Sequence, residues 1–316
     1  MYYLQGQTME TIARHLQISR SSVSRLLAHA REVGLVRISV SASPGLKGTL
    51  AGQIADLFGV QVSVVPVHDV HTEVNRLHNV ALVAAEHLVD MLFPGVTLGI
   101  AWGNTTAEVT QAMPHVSFAG STVVQLNGAS DPVREGPSAG EVLSRMRLSL
   151  GARTISFPVP AFFDHVATRE AMWSERSVKR VLSVVRRASL AVFGVGALDA
   201  LNGALPSQVY EGGHLTARDQ AVLRRQNVVG DVCTVLLRAD GSWRDVTLNA
   251  RATGPTPAQL ARIPRRLCVA AGTGKARALL AALRARTATD LVVDDATARA
   301  VLELAEARGQ KGGGSR

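Results

Sequence analysis

Only two cysteines, Cys233 and Cys268, occur in 316 residues. A disulfide framework is therefore not expected. Both sit in apolar, strand-like surroundings and read as small buried hydrophobes of a chain kept in a reducing cytoplasm. Long apolar runs are missing too: residues 190–196 form one of the longest, far short of the ~18 residues a membrane helix needs. The opening MYYLQGQTMETIARHL turns polar within a few positions, which argues against a secretory signal. There is no Gly-x-Ser-x-Gly elbow and no Cys/His nucleophile pair. Apolar material is plentiful: 47% apolar against 19% charged residues supply a large core and exclude a mostly disordered chain. The length suggests two domains, or one large domain and a small one.

The net charge of +9 is unevenly spread. Residues 1–40 carry five arginines against two glutamates, net +3. Residues 41–250 carry 17 basic and 18 acidic side chains, net −1, and residues 251–316 carry 12 and 5, net +7. A basic N-terminal stretch hints at nucleic acid. The basic C-terminal part reads as solvated helix faces, followed by a flexible tail over residues 308–316.

Residues 8–16 place Met9, Ile12, Ala13 and Leu16 on one helical stripe, with Thr8 as N-cap. Gln17 and Ile18 make a tight connection. Ser19 then caps a second helix whose Val23, Leu26, Leu27 and Ala30 share a face, and Gly34 ends it. Two short helices across a tight turn suit a helix-turn-helix, whose second helix must enter a major groove about 12 Å wide. The exposed start of that helix offers Ser19, Arg20, Ser21, Ser22, Ser24 and Arg25. Hydroxyls and guanidinium groups of this kind fit phosphates and base edges. An ordinary two-helix hairpin with surface charge is the plain alternative. Residues 35–40 alternate as a strand, and residues 43–49 form a linker rich in small residues.

From residue 50 onward, strands and helices alternate. Helices are expected over residues 50–58, 75–92, 105–112, 139–150, 177–188, 275–285 and 296–307. Strands are expected at 61–66, 97–101, 122–126, 154–158, 190–194, 233–237, 243–248, 266–270 and 291–293. This pattern predicts an α/β fold with a mainly parallel, Rossmann-like sheet covered on both faces.

Four glycine-containing segments follow strands, where open α/β sheets bind ligands. In GIAWGNTT, backbone N–H groups at a helix start can cradle a phosphate, with Thr105 and Thr106 adding hydroxyls. Gln125-Leu126-Asn127-Gly128 is the second and Gly194-Val195-Gly196 the third. The fourth, Ala270 to Lys275, is not a Walker A loop: Val269 stands where its first glycine belongs, and Ala276 replaces the Ser/Thr. Lys275 could still meet an anion at a helix start; an exposed helix lysine is the alternative. His68 and His71 with Asp69 invite a metal reading but lack a third ligand at suitable spacing, so no metal or cofactor is expected.

Residues 2–40 closely resemble the N-terminal domain of SorC/DeoR-type sugar-responsive transcriptional regulators. Matching positions include Tyr2, Tyr3, Gly6, Ile12, Ala13, Leu16, Ser19, Arg20, Val23 to Leu27, Ala30, Arg31, Gly34 and Val36. The resemblance implies DNA binding by residues 1–42. The family has further residues before the paired tyrosines, which implies either a start upstream of Met1 or a shortened first helix. Residues 45–305 resemble the family's sugar-binding domain, related to sugar-phosphate isomerases and deaminases; the expected effector and oligomerisation domain spans 50–307. By that resemblance Gly103, Asn104, Thr105, Thr106 and Lys275 hold a phosphate, and Gln125, Asn127, Gly128 and Asp231 face sugar hydroxyls. Gly272 matches a motif glycine. Asp240 matches a family position, with a turn residue before Gly241 as the equal alternative.

An enzyme of this fold needs a base on the sugar, and Asp231, Asp240, Asp294 and Asp295 are available. A covalently linked DNA reader makes a sensor the more economical reading. The expectation is a cytoplasmic, non-enzymatic homodimer or homotetramer that binds operator DNA under control of a phosphorylated sugar. An isomerase- or deaminase-like enzyme is the alternative.

Overall fold

The computed structural model describes residues 2, 7–32, 40–41, 48–67, 72–129, 136–198 and 207–312, with the backbone alone at 31–32, 40–41 and 308–312. Tyr3, Gly6, Gly34, Val36, His68, Asp69, His71 and most of the expected linker lie outside the described residues. The chain divides into two compact units, Met1–Ser39 and Val40–Arg316.

In the first unit, the helix Met9–Leu16 starts at Thr8, whose hydroxyl accepts from Thr11 N at 3.2 Å. It ends at Gln17, which adopts a left-handed φ of 52°. Ser19 then accepts from Ser22 N at 3.0 Å, opening the helix Arg20–Glu32. Ile12, Ala13 and Val23 form the small core, with Met9, Ile18 and Leu27 against it. Leu26 does not join that core: it is 56% exposed, because Val23 and Leu27 centre the buried face and Leu26 lies about 80° round from it. Leu16 is 48% exposed.

The second unit is a ten-stranded sheet. Its main order is β1 (Val40–Ser41), β2 (Gln61–Val65), β10 (Asp290–Asp294), β9 (Arg265–Ala270), β6 (Leu190–Ala197), β3 (Thr97–Ile100), β4 (Thr122–Gln125) and β5 (Arg153–Ile155). From β2 to β5 every pairing is parallel. β1 pairs with β2 antiparallel. Strand alternation splits the core between two faces: Leu190 and Val192 pack with the helices Glu73–Met91, Asn104–Ala112 and Ala139–Leu150, whereas Ala191 and Phe193 pack with Leu50–Phe58, Arg176–Val185 and Ala276–Arg284.

Several expectations are corrected. The segment Val228–Arg238 is a hairpin of β7 (Val228–Val232) and β8 (Val235–Arg238), not one strand over 233–237. Its two-residue turn is Cys233-Thr234, with φ of 49° and 70°. Such a turn favours Asn-Gly, and a β-branched residue at positive φ is strained by about 1–3 kcal/mol. It is tolerated because Thr234 is fully buried: its N–H donates to Asp231 Oδ2 at 3.0 Å and its hydroxyl accepts from Gly254 N at 3.2 Å. A Cβ on Gly254 would stand 1.6 Å from the Cys233 carbonyl oxygen. Gly254→Ala is therefore expected to lower unfolding free energy by about 2–4 kcal/mol in urea titration, since the atom it meets is backbone of a buried turn rather than a flexible side chain.

Residues 243–248 are not a strand; Thr247–Ala250 is a 3₁₀ turn closed by Asn249, whose amide bonds the Leu236 and Trp243 carbonyls. A helix Val166–Ser174 precedes Arg176–Val185, and the latter ends three residues earlier than periodicity suggested. The closing helix Asp295–Gly312 runs through residues expected as tail; an unbroken backbone pattern carries it past Gly309. Residues 313–316 lie outside the described residues. Among the described residues no helix is long and apolar enough to cross a membrane.

Candidate functional site

Because β9, β6, β3 and β4 are consecutive neighbours and all parallel, the ends of four glycine-bearing segments meet along one edge of the sheet. One cavity forms there. Gly103, Asn104, Thr105, Thr106, Asn127, Gly194, Gly196, Asp231 and Lys275 line it, as the sequence suggested. Trp102, Ser207, Gln208, Cys233 and Thr234 line it too and were missed. Ser207 and Gln208 come from the start of the short helix Gln208–Glu211, which carries no glycine signal. The hairpin turn left no Gly or Asn to mark it, although two apolar runs two residues apart were a usable signal.

The glycines answer to close approach. β6 continues through Gly194 and Gly196 to Ala197, so these lie within the strand rather than after it. Gly194 pairs with Val269 and Gly196 with Asp231. A Cβ on Gly196 would stand 2.0 Å from Asp231 Oδ1, and one on Gly194 3.0 Å from Thr105 Cβ. Gly103 opens the helix Asn104–Ala112 at φ 144° with no side-chain cap on its N-terminus.

Lys275 is buried, not an exposed helix lysine. Its Nζ donates to Thr105 Oγ1 at 3.1 Å, at that uncapped N-terminus, and burial lowers its pKa. Opposite it, burial pushes the Asp231 carboxyl up to about 6, against the opposing pull of the Thr234 N–H, the Tyr210 hydroxyl and the Lys275 charge. Asn127 Oδ1 is buried and has no hydrogen-bond partner among the described residues. Donors and positive potential at one end thus face oxygen acceptors at the other.

Four expected residues do not line the cavity. Gln125 is spent internally, donating to the Asn127 carbonyl at 2.7 Å and accepting from Phe157 N at 3.1 Å. Gly128 is clamped: its carbonyl accepts from Trp102 Nε1, its N–H donates to Thr253 at 2.9 Å, and a Cβ would collide with Pro160. Gly272, at φ 97°, donates its N–H to Asp294 Oδ2 at 2.9 Å and presses on Glu73. Asp240 lies in an exposed turn, where its carboxylate accepts from Ser242 N at 2.9 Å, and it borders a different cavity. Asp294 is fully buried among Arg76, Thr297 and Gly272 N–H, and Asp295 caps Val67 N and pairs with Arg299. Of the candidate bases only Asp231 faces the cavity. Among the described residues no cluster of His, Cys, Asp or Glu could hold a metal ion.

In the first unit Ser19, Arg20, Ser21, Ser24 and Arg25 are exposed and Ser22 is half-buried. Arg20 pairs with Glu10 at 2.6 Å, and Arg25 donates to Ser22 Oγ at 3.4 Å. Both are solvent-screened contacts of small energy.

The second unit is thus an α/β domain with a cavity at the strand ends of a mainly parallel sheet. The Sugar-bind family of sugar-binding domains matches residues 47–303. The chain belongs to this family, and it is a transcriptional regulator of the SorC/DeoR type. It is 30% identical to the transcriptional regulator LsrR of Klebsiella pneumoniae, covering 96% of this chain and 91% of that one. It is 27% identical to the deoxyribonucleoside regulator of Bacillus subtilis, over 96% and 95%. Among solved structures, a domain of a possible sugar-binding transcriptional regulator from Arthrobacter aurescens shares 41% identity at a TM-score of 0.74, covering 83% of this chain and all of that one. Full-length SorC of Klebsiella pneumoniae, at 24% identity and TM-score 0.73 over 95% of each chain, shares the fold. These relatives are named as regulators, which disfavours the isomerase or deaminase alternative.

Proposed function

We propose that this regulator binds operator DNA through the helix Arg20–Glu32 and is controlled by a phosphorylated sugar in the cavity around Lys275 and Asp231. The observation that carries the effector reading is the buried Lys275 ammonium held at an uncapped helix N-terminus, opposite the Asp231 and Asn127 oxygens. The phosphate takes the Gly103–Thr106 amides and Lys275; sugar hydroxyls donate to Asp231 and Asn127. The cavity measures about 60 Å³, room for a few waters. An effector that binds one conformation of this cavity more tightly than another shifts the population toward it. One small DNA reader touches few phosphates and binds weakly at physiological salt, so a cytoplasmic homodimer or homotetramer presenting paired readers supplies the affinity.

A thermal-shift screen against sugar phosphates tests the effector half, because a ligand of the folded state raises its unfolding temperature. No shift with any phosphorylated sugar sinks it. For the other half, Arg20→Ala and Arg25→Ala are each expected to weaken operator binding by about tenfold or more in gel shift, while the thermal response to effector stays intact. Thr105→Ala with Lys275→Ala should reverse the pattern. Phenotypes that fail to separate contradict the two-module reading.

A further inference from the structure

Another cavity, of about 280 Å³, is lined by Leu126, Thr253 and Gly254. Its inner surface is apolar and buried: Leu126, Val185, Pro255 and Ile263. Trp173 forms one side, held by the rings of Phe157 at 5.8 Å and Phe163 at 6.2 Å. Three arginines, the half-buried Arg169 and the exposed Arg186 and Arg262, line the cavity, and among the described residues no Asp or Glu does. Arg169 is half-buried with its guanidinium 4.3 Å from the Trp173 ring centroid. Its Nε donates to the Ala252 carbonyl at 2.8 Å, and among the described residues its two Nη nitrogens make no hydrogen bond. The neighbouring Glu170 charge acts on this guanidinium, which keeps its two Nη groups as a fork able to take a further anion.

We infer that this cavity is a second ligand site, for a small amphipathic carboxylate whose apolar body lies against Leu126 and Trp173 while its carboxylate meets Arg169 and the rim arginines. The planar guanidinium fork matches a carboxylate bidentately, and the apolar floor rejects a fully polar sugar phosphate. The site touches the effector cavity through hydrogen bonds. Gly254 N donates to Thr234 Oγ1, and Thr234 N donates to Asp231 Oδ2. Thr253 Oγ1 accepts from Gly128 N, next to Asn127. Displacement of the Thr253-Gly254 wall therefore moves both acceptors of the first cavity, and occupancy of either site changes affinity at the other by the same factor.

The test is calorimetric titration of the full chain with 4-phenylbutyrate and octanoate, and with 4-phenylbutyramide as uncharged control. Both carboxylates should bind saturably, 4-phenylbutyrate about tenfold tighter than its amide. Arg169→Gln and, independently, the exposed Arg262→Gln should each weaken binding severalfold. Leu182→Trp should fill the cavity and abolish binding without lowering the unfolding temperature. Asp231→Asn should leave the apparent saturation intact, which separates this site from the effector cavity. Absence of saturable binding, equal binding of the amide, or binding that survives Leu182→Trp overturns the inference. So does a wild-type chain that ignores the probes while Leu182→Trp changes its sedimentation, because a second copy then covers this face.

Discussion

Asp231→Asn is expected to make the protein more stable at pH 8 and nearly insensitive to its effector. A carboxyl whose folded pKa exceeds its unfolded value stabilises the fold while protonated, and that stability is lost as pH rises through the folded value. For Asp231 the unfolded value is about 3.9 and the folded one about 6. The loss accumulates between about pH 4 and pH 6 and reaches about 3 kcal/mol above that window. Asparagine is neutral throughout and keeps an oxygen for the Thr234 N–H. Unfolding temperatures of variant and wild type should differ by several degrees at pH 8 and converge as pH falls to 4. Effector affinity should drop about 10- to 100-fold, the worth of hydrogen bonds to a charged acceptor. A variant less stable than wild type at pH 8, or one that binds effector normally, contradicts the assignment. The native protein on this account carries a destabilising ionised group for the sake of recognition.

Lys275→Met carries the second large effect. Methionine fills nearly the same space, so the change removes charge and donors rather than volume. Truncating one partner of a buried, hydrogen-bonded charge pair costs about 2–4 kcal/mol of binding, so phosphorylated sugars should bind about 30- to 1000-fold more weakly by calorimetry. Folding should be little affected, because the lost Thr105 hydrogen bond is offset by no longer burying an ammonium. Lys275→Arg should not rescue: a planar fork is larger than an ammonium, and the cavity is small. An effector-induced thermal shift of wild-type size in Lys275→Met would show that the anion sits elsewhere.

Both predictions rest on partners that are remote in sequence. Lys275 meets Thr105 across 170 residues, and the Asp231 carboxyl lies against Gly196 of a neighbouring strand. These glycines were legible because positive φ and close approach leave a chemical mark: Gly103 by its φ at the helix start, Gly194 and Gly196 by the side chains packed on them within β6. The four aspartates were not separable, because their fates depend on neighbours. Asp294 is consumed by Arg76 and Thr297, Asp295 by Arg299 and Asp240 by its own turn, while Asp231 keeps an oxygen toward the cavity. Gln125 and Gly128 matched the family pattern yet serve to fix the wall rather than face the cavity. In both cases the residue type was right for either role.

By itself the sequence determined what is local. Helix and strand periods, the Thr8 and Ser19 caps, the apolar stripe of Ile12, Ala13 and Val23, and the alternation that requires a mainly parallel sheet all follow from side-chain spacing over a few residues. Only the tertiary structure decided that β9, β6, β3 and β4 stand side by side, that Cys233-Thr234 reverses the chain, and that an arginine-lined cavity forms at Gly254. Strand order is set by how long crossovers bury both faces of the sheet at once, and no window of neighbouring residues contains that information.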